Sequence, residues 1–453
     1  MSDQAPPAFM HSPFEPFDPA VGRYSVLSMV GGLAKPIYHD GWKAESLASK
    51  TTCYLNATLN PTLTYRVAGP DALKLLSDVC INSMANFEIG SAKHAVMCNE
   101  QGNIMGDGVL LRLGEEEFVT YWLAPYLPYR LMTGGYDATG EDLTGKVFLF
   151  QVAGPSALAV LEAAAGESLS GIGFLHAGAA RIAGADVRIL RLGMAGTLAY
   201  EVHGRVEDAI PVYEAIAAAG QPHGLARMGD GSYSLNHTEG GFPQYMIHFL
   251  YAYPQDPGFM AAMAAMMPGG APAVTLAGSM ATEGIEAYWR TPADNGWARY
   301  ARFDHDFTGR EALEVEVQHP RRKVVSLAWS ADDVLDVYRS QFERGAEYQY
   351  MEFPNENITA RNGITVVNDM VLKGGRLVGV SGGRMYSYWG REMISIASVD
   401  IAEAGLGNDL IVLWGDPGSR QKEVRATVVP YPYIQAGRNS AVDARALSAT
   451  SRA

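Results

Sequence analysis

The stretch Leu63-Thr64-Tyr65-Arg66-Val67-Ala68-Gly69-Pro70-Asp71-Ala72-Leu73-Lys74-Leu75-Leu76-Ser77-Asp78-Val79 decides the fold class. Its first five residues alternate apolar and polar, the period of a half-buried strand. Gly69-Pro70 stops that strand, because proline has no N–H to give to a ladder. Asp71 stands where a helix cap belongs. Leu73, Leu75, Leu76 and Val79 give the following segment, 72–79, the apolar side of a helix. The pattern returns at 148–155, where a strand, Gly154-Pro155 and an Ala/Leu helix over 157–164 follow in the same order, a weak internal repeat. Between the two copies, the runs 95–98, 109–113 and 117–122 read as strands, with a turn at 99–103. A further strand is expected at 187–191, and a helix at 209–219 ended by Gly220-Gln221-Pro222. Residues 233–284 crowd aromatics, Met, Pro and Gly without a period, and are expected to be irregular binding loops or a lid. After Lys323 come short β runs at 324–329, 377–379, 394–399, 410–413 and 424–429, which predict a β-rich C-terminal domain. From Ala436 the chain turns small and polar, as in a frayed tail. The fold class is α+β.

A length of 453 residues suggests about three domains at roughly 150 residues each. The 35 basic and 49 acidic side chains leave a formal charge of −14, which argues against nucleic acid as the main partner. Arg321-Arg322-Lys323 runs straight into Val324, Val325 and Leu327 and reads as a solvated strand entrance. No apolar run reaches the roughly 18 residues of a membrane span. The nearest, 259–267, stops at Pro268-Gly269-Gly270. Residues 1–19 lack a basic, then apolar, leader pattern. They hold five prolines and read as an extended arm. Cys53, Cys80 and Cys98 show no CxxC spacing and an odd count, so neither a disulfide framework nor a metal site is expected, and a cytoplasmic setting fits.

Asp107 lies in Gly106-Asp107-Gly108, where two glycines give backbone freedom and little side-chain cover. Such a carboxylate can meet a ligand or move a proton. A β-turn Asp bonded to its own backbone fits the same spacing, and the spacing alone favours it. Glu201 enters a strand after the loop Gly193-Met194-Ala195-Gly196, beside Tyr200. A carboxylate there can pair with an amidine-like edge such as a pterin ring, or simply be a solvated strand end. His237, His248, Tyr245, Tyr251 and Tyr253 cluster in the irregular region, where acid–base groups in an aromatic pocket are expected. No phosphate loop, nucleophile elbow or HExxH is present.

Asp71-Ala72-Leu73-Lys74-Leu75-Leu76-Ser77-Asp78, Asn99-Glu100-Gln101-Gly102 with Gly106-Asp107, Tyr200-Glu201-Val202, Asp306-Phe307-Thr308-Gly309-Arg310-Glu311-Ala312-Leu313 and Ala426-Thr427-Val428-Val429-Pro430 together resemble the aminomethyltransferase (glycine-cleavage T-protein) family. Within it, the segments at 78–83, 193–196, 303–307 and 327–333 are most similar to the tetrahydrofolate-dependent aromatic O-demethylases of the vanillate and syringate type. The resemblance implies a three-lobed T-protein-like cloverleaf around a folate channel. Its first lobe would be split, 1–59 plus 146–315, with the N-terminal arm. A second lobe would be inserted at 60–145, and a C-terminal β-barrel lobe would cover 316–453.

The same resemblance implies site roles. Glu201, with Tyr200 beside it, matches the acid that grips the pterin edge. Asp107 matches the second acid of the family's Asp-Asp pair, while Gly106 replaces the first. Tyr251 matches a pocket tyrosine of the aromatic branch, and Tyr251, His248 and Asp107 are the acid–base candidates. Substrate-binding positions are expected at Asn60, Leu123, Trp122 and Tyr245. Asn60-Pro61 stands where the branch has histidines, and Leu123 where it has an arginine suited to a benzoate carboxylate. Leucine cannot pair with a carboxylate, so a simple benzoate held in the usual way is not expected.

Two chemistries follow. One is tetrahydrofolate-dependent O-demethylation of a methoxylated, lignin-derived aromatic. The other is a folate-independent lyase that releases formaldehyde from a hydroxymethyl side chain of an aromatic dimer. A non-catalytic folate-binding relative is the third reading. The expected partner is a small aromatic substrate, with neither nucleic acid nor membrane, and the sequence does not fix the oligomeric state.

Overall fold

The two Gly-Pro turns prove to be the same structure. Gly69 has φ 134° and Gly154 has φ 133°, each between a strand and a helix. A Cβ at Gly69 would lie 2.8 Å from the backbone of Ala138, and one at Gly154 would lie 2.5 Å from the carbonyl of Thr52. Only glycine fits there, so the repeat seen in the sequence is a repeat of geometry. The first strand and helix are Thr64–Ala68 and Ala72–Val79, the second Val147–Ala153 and Ala157–Ala165. Asp71 sits at the expected cap position, but its carboxylate accepts from the Asp137 amide and makes no capping bond.

The chain is described by a computed structural model over residues 10–27, 33–266, 273–356, 359–360 and 363–450. Part of the expected N-terminal arm (1–9) and the Met267–Gly270 end of the longest apolar run lie outside the described residues. Two units are formed, Met1–Thr62 with Leu143–Asn236 and Ala436–Ala453, and Leu63–Asp142 with His237–Gln435.

The first unit is built on a six-stranded sheet in the order Ala177–Ile182, Ala185–Leu190, Ala199–Arg205, Val147–Ala153, Cys53–Asn56, Leu225–Met228. All pairs are antiparallel except the last. One face buries Phe148, Phe150, Val152, Tyr200, Val202, Cys53 and Leu55 with residues of the helices Ala157–Ala165 and Ala209–Gly220. Strand alternation sends Gln151, Glu201, His203, Tyr54 and Asn56 to the other face. The segment after Ala436 is not frayed as expected. Arg191 donates to the Asn439 and Val442 carbonyls, and the helix Ala444–Thr450 follows, with Ala444 buried in this core. A small-residue sequence hid this, because its anchor is a buried arginine far away in the chain.

The second unit holds a five-stranded antiparallel sheet, in the order Ala92–Cys98, Ile104–Arg112, Glu117–Tyr121, Thr64–Ala68, Thr139–Asp142. It also holds a ring of pairings: Gly363–Lys373, Arg376–Ser387, Glu392–Asp400, Arg322–Trp329, Lys422–Val429, Asp409–Trp414 and back to Gly363–Lys373. Arg322 opens its strand, as the basic cluster predicted. The 233–284 region is more regular than expected. Asp230–Gly240 and Pro257–Met266 are helices, with a short 3-10 turn, Tyr253–Gln255, on the segment between them. The first escaped notice because its buried residues include Ser232, Asn236, Thr238 and Glu239, so no apolar period marks it. No helix among the described residues is long and apolar enough to cross a membrane. All three cysteines are free and buried.

Candidate active site

Asp107 is not a turn residue. It lies inside the strand Ile104–Arg112, paired with Val96 across the hairpin. Gly108 beside it is required by close packing, since a Cβ there would lie 2.1 Å from the Tyr121 carbonyl oxygen. Alternation turns Asp107 toward the cluster of Ile81, Val96, Phe249, Tyr251 and Trp297, where it is 8 % exposed. There the Tyr251 hydroxyl donates to Asp107 Oδ1 at 2.9 Å and accepts from the Asp107 amide at 3.2 Å. Tyr245 stacks on Tyr251 with ring centroids 3.9 Å apart and planes 8° from parallel. Tyr253 closes on the same ring at 5.3 Å. Burial, and then the Asp107 charge, hold the Tyr251 hydroxyl well above its ordinary pKa. Tyr251 is therefore protonated near neutral pH, with its hydroxyl turned to Asp107.

The sequence reading missed His94. Its Nε2 lies 2.9 Å from Asp107 Oδ2, so the carboxylate bridges a histidine and a tyrosine. The signal was present in the hairpin. With Val96 opposite Asp107, a residue two places before Val96 lies diagonal to Asp107 on the same face.

His248 is placed differently from its expected acid–base role. Its Nδ1 accepts from the Gln244 amide at 2.9 Å, and its Nε2 faces Thr238 Oγ1 at 3.1 Å. Burial, and then the neighbouring His237, bring its pKa down to about 3. A neutral imidazole with both nitrogens engaged has no proton to give and no free lone pair. Leu123 is buried among Leu75, Phe118, Tyr126 and Phe259. Trp122, beside it, has φ 73° and is partly exposed.

The other expected residues lie in the first unit. Glu201 is buried, with its Oε2 3.3 Å from His203 Nε2. Burial lowers the His203 pKa, against the pull of Glu201. Gln151 pairs with Glu201 across the strands and takes the Tyr54 hydroxyl on its Oε1. Gln151 Nε2 and Asn56 Nδ2 are buried without a hydrogen-bond partner. An orphaned donor costs about 1–3 kcal/mol, and these two N–H groups have the capacity to take an acceptor. Tyr200 does not share it. Alternation puts its ring in the core on the opposite face, where burial pushes its hydroxyl up to about 12. Asn60 is fully used within the fold, donating to the Ala57 and Leu149 carbonyls and accepting from the Leu149 amide.

A strand-built carboxylate pinned by a tyrosine, on a mixed α/β chain with a ring of C-terminal strands, defines a class that comparison identifies. The sequence profile of the GCVT N-terminal domain matches residues 17–249. The chain is 42 % identical to a sesamin methylene transferase of Sinomonas sp. (strain No.22), over 93 % of this chain and 95 % of that one. It is 32 % identical to the syringate O-demethylase of Sphingobium sp. (strain NBRC 103272 / SYK-6), over 90 % and 92 %. The crystal structure of the glycine cleavage system aminomethyltransferase T from Bartonella henselae has the same fold, with a TM-score of 0.66 at 17 % identity over 92 % of this chain and 95 % of that one. The chain belongs to the aminomethyltransferase family, near its aromatic O-demethylases, and is an enzyme of one-carbon transfer.

Proposed function

We propose that this enzyme takes an ether-bound one-carbon unit, methyl or methylene, from a neutral, lignin-derived aromatic compound and passes it to tetrahydrofolate. The observation that carries the reading is the Tyr251 hydroxyl held against Asp107 under the Tyr245 ring. An aryl ether carbon leaves only if the aryl oxygen keeps the bonding electron pair, and that oxygen then needs a proton. Tyr251 holds one beside an aromatic surface. Two relatives are named for the transfer or removal of a one-carbon unit, a sesamin methylene transferase and a syringate O-demethylase. An uncharged substrate belongs to the same proposal: by the resemblance Leu123 stands where the aromatic branch has an arginine for a carboxylate, although Leu123 itself packs into its own unit's core, and a carboxylate buried unpaired costs several kcal/mol.

The first unit suits the folate. Glu201 would accept from the amino edge of a pterin, and the free N–H groups of Gln151 and Asn56 would meet its carbonyl side. Bound tetrahydrofolate supplies the nitrogen that accepts the carbon. Division into lobes 1–59 plus 146–315, 60–145 and a β-barrel lobe at 316–453 belongs to the same proposal, as does a cytoplasmic setting, which the free cysteines suit.

The test is to incubate the purified chain with neutral methoxy- and methylenedioxy-aromatics, with and without tetrahydrofolate. A one-carbon folate and the freed phenol should form together, and only with folate present. Formaldehyde released without folate would instead establish the lyase, and folate binding with no product on any aryl ether would establish the non-catalytic relative.

A further inference from the structure

Lys35 stands at a core position of the first unit. It lies on the strand Leu33–Pro36, and alternation puts it on the side of Leu33, which packs into that unit's core. Lys35 is 9 % exposed, and its Nζ makes one hydrogen bond, given to the Thr58 carbonyl at 2.6 Å. Burial lowers its pKa, and the charges of Asp230 and Glu15 partly offset this. Neither acid forms an ion pair with it. Glu15 is turned to His39 Nε2 at 3.3 Å. Asp230 and Lys35 feel each other's charge, yet the Asp230 carboxylate takes no hydrogen bond from any described residue.

Asp230 is nonetheless held in place. It opens the helix Asp230–Gly240 and stands between Gly229 and Gly231. A Cβ at Gly229 would lie 2.3 Å from the Ile37 carbonyl oxygen, and the Gly231 amide donates to that same oxygen at 3.0 Å. The close approach needs glycine and clamps the start of the helix to the chain two residues beyond Lys35. Asp230 is half-buried, so a ligand can reach it. The pair borders the face with the free donors. Asn56 Oδ1 accepts from the Thr58 amide and hydroxyl, while Lys35 takes the Thr58 carbonyl.

A buried lysine with no carboxylate in contact is costly to a fold, and an apolar residue of the same length would serve the core better. Such a breach of local rules marks a functional position. The chemistry of the pair selects its ligand. An ether or carbonyl oxygen would leave Asp230 unmet, an anion would be repelled by it, and a cation would be repelled by Lys35. A hydroxyl both accepts and donates, so it satisfies the two groups together.

We propose that Lys35 and Asp230 read a free phenolic hydroxyl on the aromatic substrate: its oxygen accepts from Lys35 Nζ, and its hydrogen is given to an Asp230 carboxylate oxygen. No bond to carbon changes there, so both are specificity-determining residues. The proposal rests on the aryl-ether reading above, and a binding experiment without turnover separates the two.

Calorimetry on the purified chain, with no folate added, compares guaiacol with veratrole, in which a methoxy group replaces the hydroxyl. Guaiacol should bind wild type at least about tenfold tighter, the worth of one hydrogen bond to a charged group. Lys35→Met, which keeps the side-chain length, and Asp230→Ala should each remove that preference. Veratrole affinity should stay within about threefold in both, which also shows that the variants are folded. Equal affinities in wild type, or a guaiacol preference that survives both substitutions, would overturn the proposal while leaving the aryl-ether reading standing. Loss of tetrahydrofolate binding in Lys35→Met with guaiacol binding unchanged would give the pair to the folate and also overturn it. If wild type transfers carbon from no aryl ether, yet its guaiacol preference depends on Lys35 and Asp230, the transfer reading fails and the hydroxyl site stands.

Discussion

Replacing Tyr251 by phenylalanine removes one oxygen and leaves the ring. The stack on Tyr245 at 3.9 Å and the contact with Tyr253 remain. The donation to Asp107 Oδ1 and the acceptance from the Asp107 amide are lost, together with a longer contact to the Asp107 carbonyl. Both Asp107 groups are buried, so the stability cost should be about 1–3 kcal/mol. The loss in catalysis should be larger. A positioned general acid contributes roughly 10²–10⁴-fold, or about 2.7–5.4 kcal/mol of barrier. Because the proton is needed only as the aryl oxygen departs, kcat should fall while KM changes little. Steady-state kinetics on a neutral aryl ether, with thermal denaturation of the same preparation, reads both quantities. A folded Tyr251→Phe enzyme with kcat within about threefold of wild type would refute the assignment of Tyr251 as the acid.

Two further outcomes test other parts of the structure. Glu201→Gln should weaken tetrahydrofolate binding about tenfold or more by calorimetry, the worth of one charge-assisted bond, while leaving aromatic binding intact; unchanged folate affinity would remove Glu201 from the pterin site. Asp369 is buried, and burial raises its pKa to about 7, partly opposed by its bond from the Ser279 amide. Its folded pKa lies above the unfolded value of about 3.8, so the stability linked to its proton is complete below pH 4 and is lost as the pH rises through 7. Asp369→Asn should therefore gain on wild type across that window, by on the order of 2–4 kcal/mol at pH 8. Parallel denaturation curves for the two proteins from pH 5 to 8 would contradict the buried charge.

The legible parts of this chain are those where the backbone dictates the residue. Gly69 and Gly154 could be read as punctuation because no other side chain fits between their strands and helices. The C-terminal β runs could be read because their apolar residues face one shared interior, as Leu327, Val371, Val399 and Val412 do. The helix Asp230–Gly240 could not, since polar residues fill its buried positions. Of the expected site residues, Asp107, Tyr245 and Tyr251 lie together in the structure. Leu123 and Asn60 were found as departures from a family pattern, yet each is held inside its own unit's fold. Tyr200 followed from its place next to Glu201, but neighbours along a strand face opposite ways. His94 was passed over because nothing in Lys93-His94-Ala95 marks it, and only the register of its hairpin joins it to Asp107.

The central claim is that the ether carbon itself goes to folate. A neutral aromatic labelled with ¹³C at its methoxy or methylenedioxy carbon, incubated with enzyme and tetrahydrofolate and followed by NMR, tests this directly. The label should move to a one-carbon folate, in step with the freed phenol and with no free formaldehyde along the way. Label that appears as formaldehyde at the same rate with and without folate would contradict the account.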